Sequence, residues 1–289
     1  MQGLGFADAV SSFSDADIVI YGIPYDRTST FRPGSREAPN AVRRASYNFE
    51  VSHFEHGRLP EAKIHDFGNA DDLIRPEDMS DEIKFSVSPA VNDDKFVIAI
   101  GGEHSVTPPI VELHKNISVI SIDAHLDSRD EFMGTPYSHA CTMRRCAEHV
   151  GIDNVFVLCV RSISDEELDR DDVIPHITSY EIMDTGIEKA VRRALDTVKN
   201  EKIYLTIDID GIDPAFAPGT GTQEPFGLMP MDVKKVINAI GERLAGMDVV
   251  EISPPYDPSG ITSVLGARYI KEGIAVYTKH SLRRMQRAR

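Results

Sequence analysis

The stretch Ile203-Tyr204-Leu205-Thr206-Ile207-Asp208-Ile209-Asp210-Gly211-Ile212-Asp213-Pro214 changes character at its middle. Its first part, Ile203–Ile207, is a short apolar run without strict polar alternation, the pattern of a parallel strand covered on both faces. Carboxylates then alternate with isoleucines, so Asp208 and Asp210 are expected to point one way while Ile207 and Ile209 pack behind them. Runs of the same kind occur at Asp17–Ile23, Phe96–Ile100, Ile117–Ile122, Val155–Val160 and Asp248–Ile252. Helical periodicity fills about 182–199 and 233–244, and Pro258-Ser259 precede a third helical stretch through Leu265–Ile270. This βα rhythm predicts one three-layer α/β domain over residues 1–289. Two Gly/Pro-rich segments, Gly22–Pro39 and Gly211–Pro230, directly follow strands, where ligands collect in open α/β folds.

The 289 residues carry 46 acidic against 31 basic side chains, a formal charge of −15. A nucleic-acid or anionic-membrane partner needs a basic footprint and is excluded on that ground. The balance suits a cationic small substrate or metal ions, although solubility accounts for it equally well. Cys141, Cys146 and Cys159 form no CxxC pair, so neither a disulfide framework nor a thiolate zinc site is expected. The opening MQGLGFADAVSSF lacks a signal-peptide pattern, and no run of 18 apolar residues exists, so a cytoplasmic protein is expected.

Two further strand ends carry metal-ligand chemistry. In Ser121-Ile122-Asp123-Ala124-His125-Leu126-Asp127, an extended backbone puts Asp123, His125 and Asp127 on one side. In Gly101-Gly102-Glu103-His104-Ser105, His104 sits where the chain leaves its strand, and Ser105 is placed to cap a following helix. Each cluster alone reads equally well as caps and surface acids. Together they offer two imidazoles and four carboxylates without a thiolate, which suits Mn²⁺ best and leaves Fe²⁺, Co²⁺ and Zn²⁺ open. Six ligands exceed one tetrahedral zinc and fit two ions about 3.5 Å apart that share a carboxylate and a hydroxide.

With these residues in view, the chain resembles the ureohydrolase family, the arginases and agmatinases. The motifs are GGEHS at Gly101–Ser105, SIDAHLD at Ser121–Asp127, TIDIDGIDPAFAPGTGTQEP at Thr206–Pro225 and GIPYDRTSTFRPGSREAPNAVR at Gly22–Arg43. The resemblance implies an α/β/α fold with a mostly parallel eight-stranded sheet, a homotrimer or homohexamer, and two Mn²⁺ per subunit. It places His104, Asp123, Asp127 and Asp208 on one ion, and Asp123, His125, Asp208 and Asp210 on the other. Glu103 stands where many members carry Asp, a change that keeps the charge. Glu251 matches the glutamate that grips the guanidinium, and His139 the mobile-loop histidine that assists departure of the amine. Asp210 is also implied as a proton acceptor. Tyr137 and Phe132 are candidates for an apolar wall or for pinning their loop, Met133 and Met143 for packing, and Asp213 for fixing its loop.

Arginine and agmatine differ by one carboxylate. The interval Ser128–Ser138 lacks the Thr/Ser/Asn-rich pattern of arginases, and Arg161-Ser162-Ile163-Ser164 replaces their Arg-Asp-x-Asp. Ser164-Asp165-Glu166-Glu167 instead has the form of a helix capping box. The loop around DSRDEFMG and YSHACTMRR is most like archaeal agmatinases. Gln223 and Phe226 stand in a segment where GTPEPGG is common, and Phe226 is expected to reshape the pocket. The leading expectation is therefore hydrolysis of agmatine to urea and putrescine, a polyamine. A related hydrolase for arginine, guanidinobutyrate or formiminoglutamate comes second, and a non-catalytic metal-stabilised assembly third.

Overall fold

The computed structural model describes residues 4–58, 62–71 and 74–287; residues 1–3 and 288–289 of the expected domain lie outside the described residues. Eight strands form one sheet: β1 Ile18–Gly22, β2 Ile64–Asn69, β3 Phe96–Ile100, β4 Ile117–Ile122, β5 Val155–Val160, β6 His176–Thr178, β7 Lys202–Asp208 and β8 Leu244–Val250. Their order across the sheet is β2-β1-β3-β8-β7-β4-β5-β6, and every pairing is parallel. Residues 52–53 and 57–58 form a separate small antiparallel hairpin.

The apolar runs without polar alternation reflect burial from both sides. Ile18, Ile20, Ile98 and Ile100 enter one core with Val42 of helix α1 (Ala38–Ser46), Val233 and Ile237 of α8 (Pro230–Ile240), and Ala267 and Ile270 of α9 (Ile261–Arg287). Their neighbours Val19, Tyr21, Val97 and Ala99 enter the other, with Ile83 of α2 (Pro76–Asn92), Ile110 of α3 (Thr107–Val111) and Met143 of α4 (Thr142–Val150). Successive strand residues thus feed opposite layers, as period two requires.

Where expectation and structure differ, the causes are local. The apolar-run criterion passes over β2 and β6 because both are edge strands, one half-exposed and polar, the other three residues long. The strand expected at Asp248–Ile252 starts earlier, at Leu244, and ends before Glu251. Gly246 hides its beginning: the missing side chain leaves room for the Tyr204 ring, 2.9 Å from where a Cβ would sit. The helix expected over about 182–199 is two, α6 Ser179–Thr185 and α7 Ile187–Thr197, broken by Gly186 at φ +86°. A capping box between Thr178 and Glu181 starts the first. Of the two methionines expected to pack, Met143 does and Met133 is exposed. The three cysteines are buried and free. Among the described residues, no helix is long and apolar enough to cross a membrane.

Arg43 fastens α1 to the edge strand β2. Its side chain is buried, pairs with Asp66 through Nε and Nη2 at 2.8 Å each, and donates to the Gly68 carbonyl at 2.8 Å. Arg43→Met leaves the Asp66 carboxylate buried without its partner, so it should lower unfolding stability by about 3–5 kcal/mol in denaturant titrations.

Candidate metal centre

The implicated residues follow β3, β8, β7 and β4, four neighbours at the middle of the sheet, so all emerge at one carboxyl edge. Gly102 lets the chain turn after β3, since any Cβ there would lie 1.8 Å from the Tyr25 carbonyl oxygen. His104 opens a 3-10 turn, His104–Val106. Ser105 does not cap the next helix; its hydroxyl donates to Glu103 Oε1 at 2.6 Å because it lies inside that turn. Beyond β4 the chain is not extended throughout: Asp127 has φ +47°, and this left-handed residue turns its carboxylate toward His104. Beyond β7 a 3-10 turn, Ile209–Gly211, replaces the expected alternation, and Asp208 Oδ1 accepts the Asp210 N–H at 2.9 Å. The carboxylates converge all the same.

Ligand-type atoms of His104, Asp123 and Asp208 lie within 4.8 Å of one another, as do those of Asp123, His125 and Asp210. Asp123 is common to both groups. His104 Nδ1 stands 3.1 Å from Asp123 Oδ2, 3.1 Å from Asp127 Oδ2 and 3.4 Å from Asp208 Oδ2. One ring N–H cannot serve three oxygens. The Asp123 Oδ2 atom is buried without a hydrogen bond. His125 Nδ1 lies 3.0 Å from Asp210 Oδ2 and 3.7 Å from Asp123 Oδ1.

Burial pushes the Asp127 carboxyl up to about 7, reinforced by the neighbouring Asp123 charge. Asp208 is also held well above the carboxylate range, by burial first and then by Asp210 and Asp123. Burial opposes ionisation of Asp123 as well, but the imidazoles of His104 and His125 beside it hold it low. Burial disfavours charge on His104 and His125, yet the carboxylates around them raise both well above the ordinary imidazole value. Crowded oxygens and imidazoles, an orphaned carboxylate oxygen and no thiolate fit a pair of divalent cations. A third grouping, His53, His56 and Glu272, differs because Glu272 is neutralised by Arg268, 2.6 Å away.

Surrounding groups aim the ligands. His104 Nε2 meets Thr206 Oγ1 at 2.9 Å; behind it lies the buried Asp248, whose Oδ2 accepts from Thr107 Oγ1 at 2.8 Å and the Tyr204 hydroxyl at 3.0 Å. The Cys159 thiol reaches the Asp123 and Gly211 carbonyls at 3.3 Å each, joining the ends of β4 and β7. Arg161 donates to the carbonyls of Asp210 and Glu224 at 2.6 and 2.7 Å and so clamps the Gly211–Pro230 loop. The sequence assigns no role to Thr206, Asp248 or Arg161, although Thr206 opens one of the motifs and each is a polar residue inside or just beyond an apolar run.

A cavity of about 240 Å³ opens over the cluster, lined among others by His125, Asp208, Asp210, Glu251, His139 and Phe132. Glu251 has φ +61°, and its Oε1 accepts the His104 N–H at 2.8 Å. Burial, then the Glu103 charge, pushes the Glu251 carboxyl well up. Phe132 lines the cavity; Tyr137 does not and belongs to a separate small pocket, so only half of the expected apolar wall is present. Phe226 is exposed and, like Gln223, absent from the lining, because Asp213 turns the loop by accepting the Phe226 and Gly227 N–H groups. Asp213 fixes its loop as expected. Ser164 and Glu167 form the expected capping box of α5 (Asp165–Leu168), and both line the cavity.

A family model described as the arginase family matches residues 16–275. The chain is 34% identical to an agmatinase of Halalkalibacterium halodurans over 283 residues, covering 94% of this chain and 96% of that protein. It is 34% identical to an N(1)-aminopropylagmatine ureohydrolase of Synechocystis over 267 residues, covering 86% and 85%. The crystal structure of an agmatine ureohydrolase of Thermoplasma volcanium superposes with a TM-score of 0.93 at 35% identity, covering 98% of this chain and 97% of that one.

The contact between Thr206 and His104 orients the ring that faces the carboxylates. Thr206→Val should weaken divalent-metal binding about 10–100-fold, read by chelator competition, while the fold is retained. Added divalent metal should raise the thermal midpoint of the wild type, since it relieves repulsion among buried carboxylates.

Proposed function

The chain belongs to the arginase family, and on that premise we propose that it is a binuclear manganese hydrolase cleaving agmatine to putrescine and urea. The observation that carries this reading is the meeting of two candidate metal clusters and a half-buried glutamate, Glu251, around one small cavity. His104, Asp123, Asp127 and Asp208 would hold one ion, and Asp123, His125, Asp208 and Asp210 the other. Bound there, the pair supplies a hydroxide nucleophile at neutral pH and a positive field for developing negative charge.

The chain's own residues do the rest. Glu251 takes two nitrogens of the planar guanidinium, a match of fork to carboxylate that an ammonium cannot reproduce. Its carboxylate sits among other acids, so a cation is the complement its surroundings favour. Asp210 accepts the proton released on attack, and His139 protonates the departing amine. The names of the relatives support agmatine as substrate. A second reading, a guanidino acid, has one observation in its favour: Arg32 and Arg129 line the cavity with their guanidinium groups over Phe31 and Phe132 and make no ion pair among the described residues. A homotrimer or homohexamer working in the cytoplasm completes the proposal.

Urea release from agmatine, aminopropylagmatine, arginine, guanidinobutyrate, guanidinopropionate and formiminoglutamate tests the substrate, with the alternative amide product assayed for the last. Agmatine should give the highest kcat/KM; arginine or guanidinobutyrate in first place would move the assignment to the second reading. Elemental analysis should find two manganese per chain, and Asp208→Asn should lose at least one. Glu251→Gln should cut kcat/KM by about two to three orders of magnitude, because a buried cation loses its charged partner.

A further inference from the structure

Glu103 is buried beside the metal cluster, yet its carboxylate points away from it. Oε1 accepts from the Thr28 hydroxyl at 2.5 Å and from Ser105 at 2.6 Å, and Oε2 accepts the Thr28 N–H at 2.7 Å. Burial raises the Glu103 carboxyl and these donors counter that rise; as a carboxylate it only accepts, so the single hydroxyl proton of Thr28 is committed to Glu103. The Thr28 oxygen therefore has only lone pairs to offer elsewhere. It lies 3.0 Å from His139 Nδ1 and also accepts the His139 backbone N–H at 3.1 Å. A hydroxyl that gives its proton away can meet the ring nitrogen only as an acceptor, so the proton of that contact belongs to Nδ1. The other nitrogen, Nε2, makes no hydrogen bond among the described residues, and the ring lines the cavity with the edge of Phe132 against it.

We propose that Glu103, acting through Thr28, fixes His139 as the Nδ1-protonated tautomer and presents a bare Nε2 to the substrate cavity. The inference rests on the hydrolase reading for its consequence but not for its geometry. Burial, then the positive surroundings of His125 and His104, pushes His139 down to about 4, in keeping with a neutral ring at pH 7. A bare Nε2 cannot be the first acid in the reaction. It takes over the proton that Asp210 accepts on attack, which originates in the water consumed, then passes it to the amine nitrogen as the carbon–nitrogen bond breaks. Guanidinium plus water gives urea plus alkylammonium, and His139 returns to its starting tautomer. Glu103 and Thr28 are thus positioning residues, and of the three only His139 meets the substrate.

The test uses the full-length, histidine-¹⁵N-labelled protein loaded with diamagnetic zinc, with His139→Ala identifying the His139 signals. The wild type should show a protonated Nδ1 and an unprotonated Nε2; the opposite tautomer overturns the proposal whatever the activity. In manganese-loaded enzyme, Thr28→Val should lower kcat about 10–100-fold with KM and metal content unchanged, and Thr28→Ser should restore it. Glu103→Gln should disturb the tautomer in the same spectra. Wild-type kcat in Thr28→Val, or a loss explained by lost metal, rejects the positioning role. Should the wild type hydrolyse no compound of the panel, the hydrolase reading falls, and the spectra still decide the tautomer.

Discussion

Negative charge buried at one edge of the sheet is the constraint that the rest of the site answers to. Asp123, Asp127, Asp208, Asp210 and Glu251 all leave neighbouring strands at the same side, and desolvation opposes ionising such groups together. In the protein alone the conflict is relieved by histidines drawn toward the charged form and by carboxyls drawn toward the neutral one. Divalent cations relieve it without protons. The same crowding that would destabilise an ordinary core is therefore what suits the cavity to cations.

Holding that crowd in place takes geometry that the chain does not adopt freely. Asp127 and Glu251 both have left-handed backbones, conformations that cost an L-residue with a side chain about 1–3 kcal/mol and persist only where the surroundings over-determine them. The surroundings here are specific: the Asp127 carbonyl accepts the Met143 N–H at 2.9 Å, and the Glu251 N–H donates to Gly102 at 2.7 Å. Behind the ligands, Thr206, Asp248 and Tyr204 form a second hydrogen-bonded layer inside the sheet, while Thr28 and Glu103 do the same for His139 in the loops. Strand-borne support is rigid; loop-borne support lets one residue be tuned without moving the metal ligands.

That division explains how one framework serves relatives that differ in the far end of the substrate. The cation-binding floor comes from four central strand ends, whereas the outer wall comes from the segments around Phe31, Phe132, Ser162 and Thr222. Loop residues can change there at little cost to the sheet, so the fold fixes the floor of the cavity and leaves its outer wall to local variation.

The amino-acid sequence alone pointed to the layered α/β class, because strands buried on both faces lack polar alternation, and runs such as Ile117–Ile122 and Phe96–Ile100 recur between helical stretches. It also determined the candidate ligands, since Asp123, His125, Asp127, Asp208, Asp210 and His104 each stand just beyond such a run. It could not say that β3, β8, β7 and β4 are neighbours, which depends on crossovers between strands far apart in the chain. Edge strands β2 and β6 escaped for want of two-sided burial, and Glu251 drew notice by resemblance rather than by pattern. Only the tertiary structure decided that Phe226 faces away from the cavity, that Asp127 turns back through a left-handed residue, and that Glu103 reaches His139 through Thr28. Those outcomes hang on single hydrogen bonds and backbone angles between distant segments, which local periodicity does not encode.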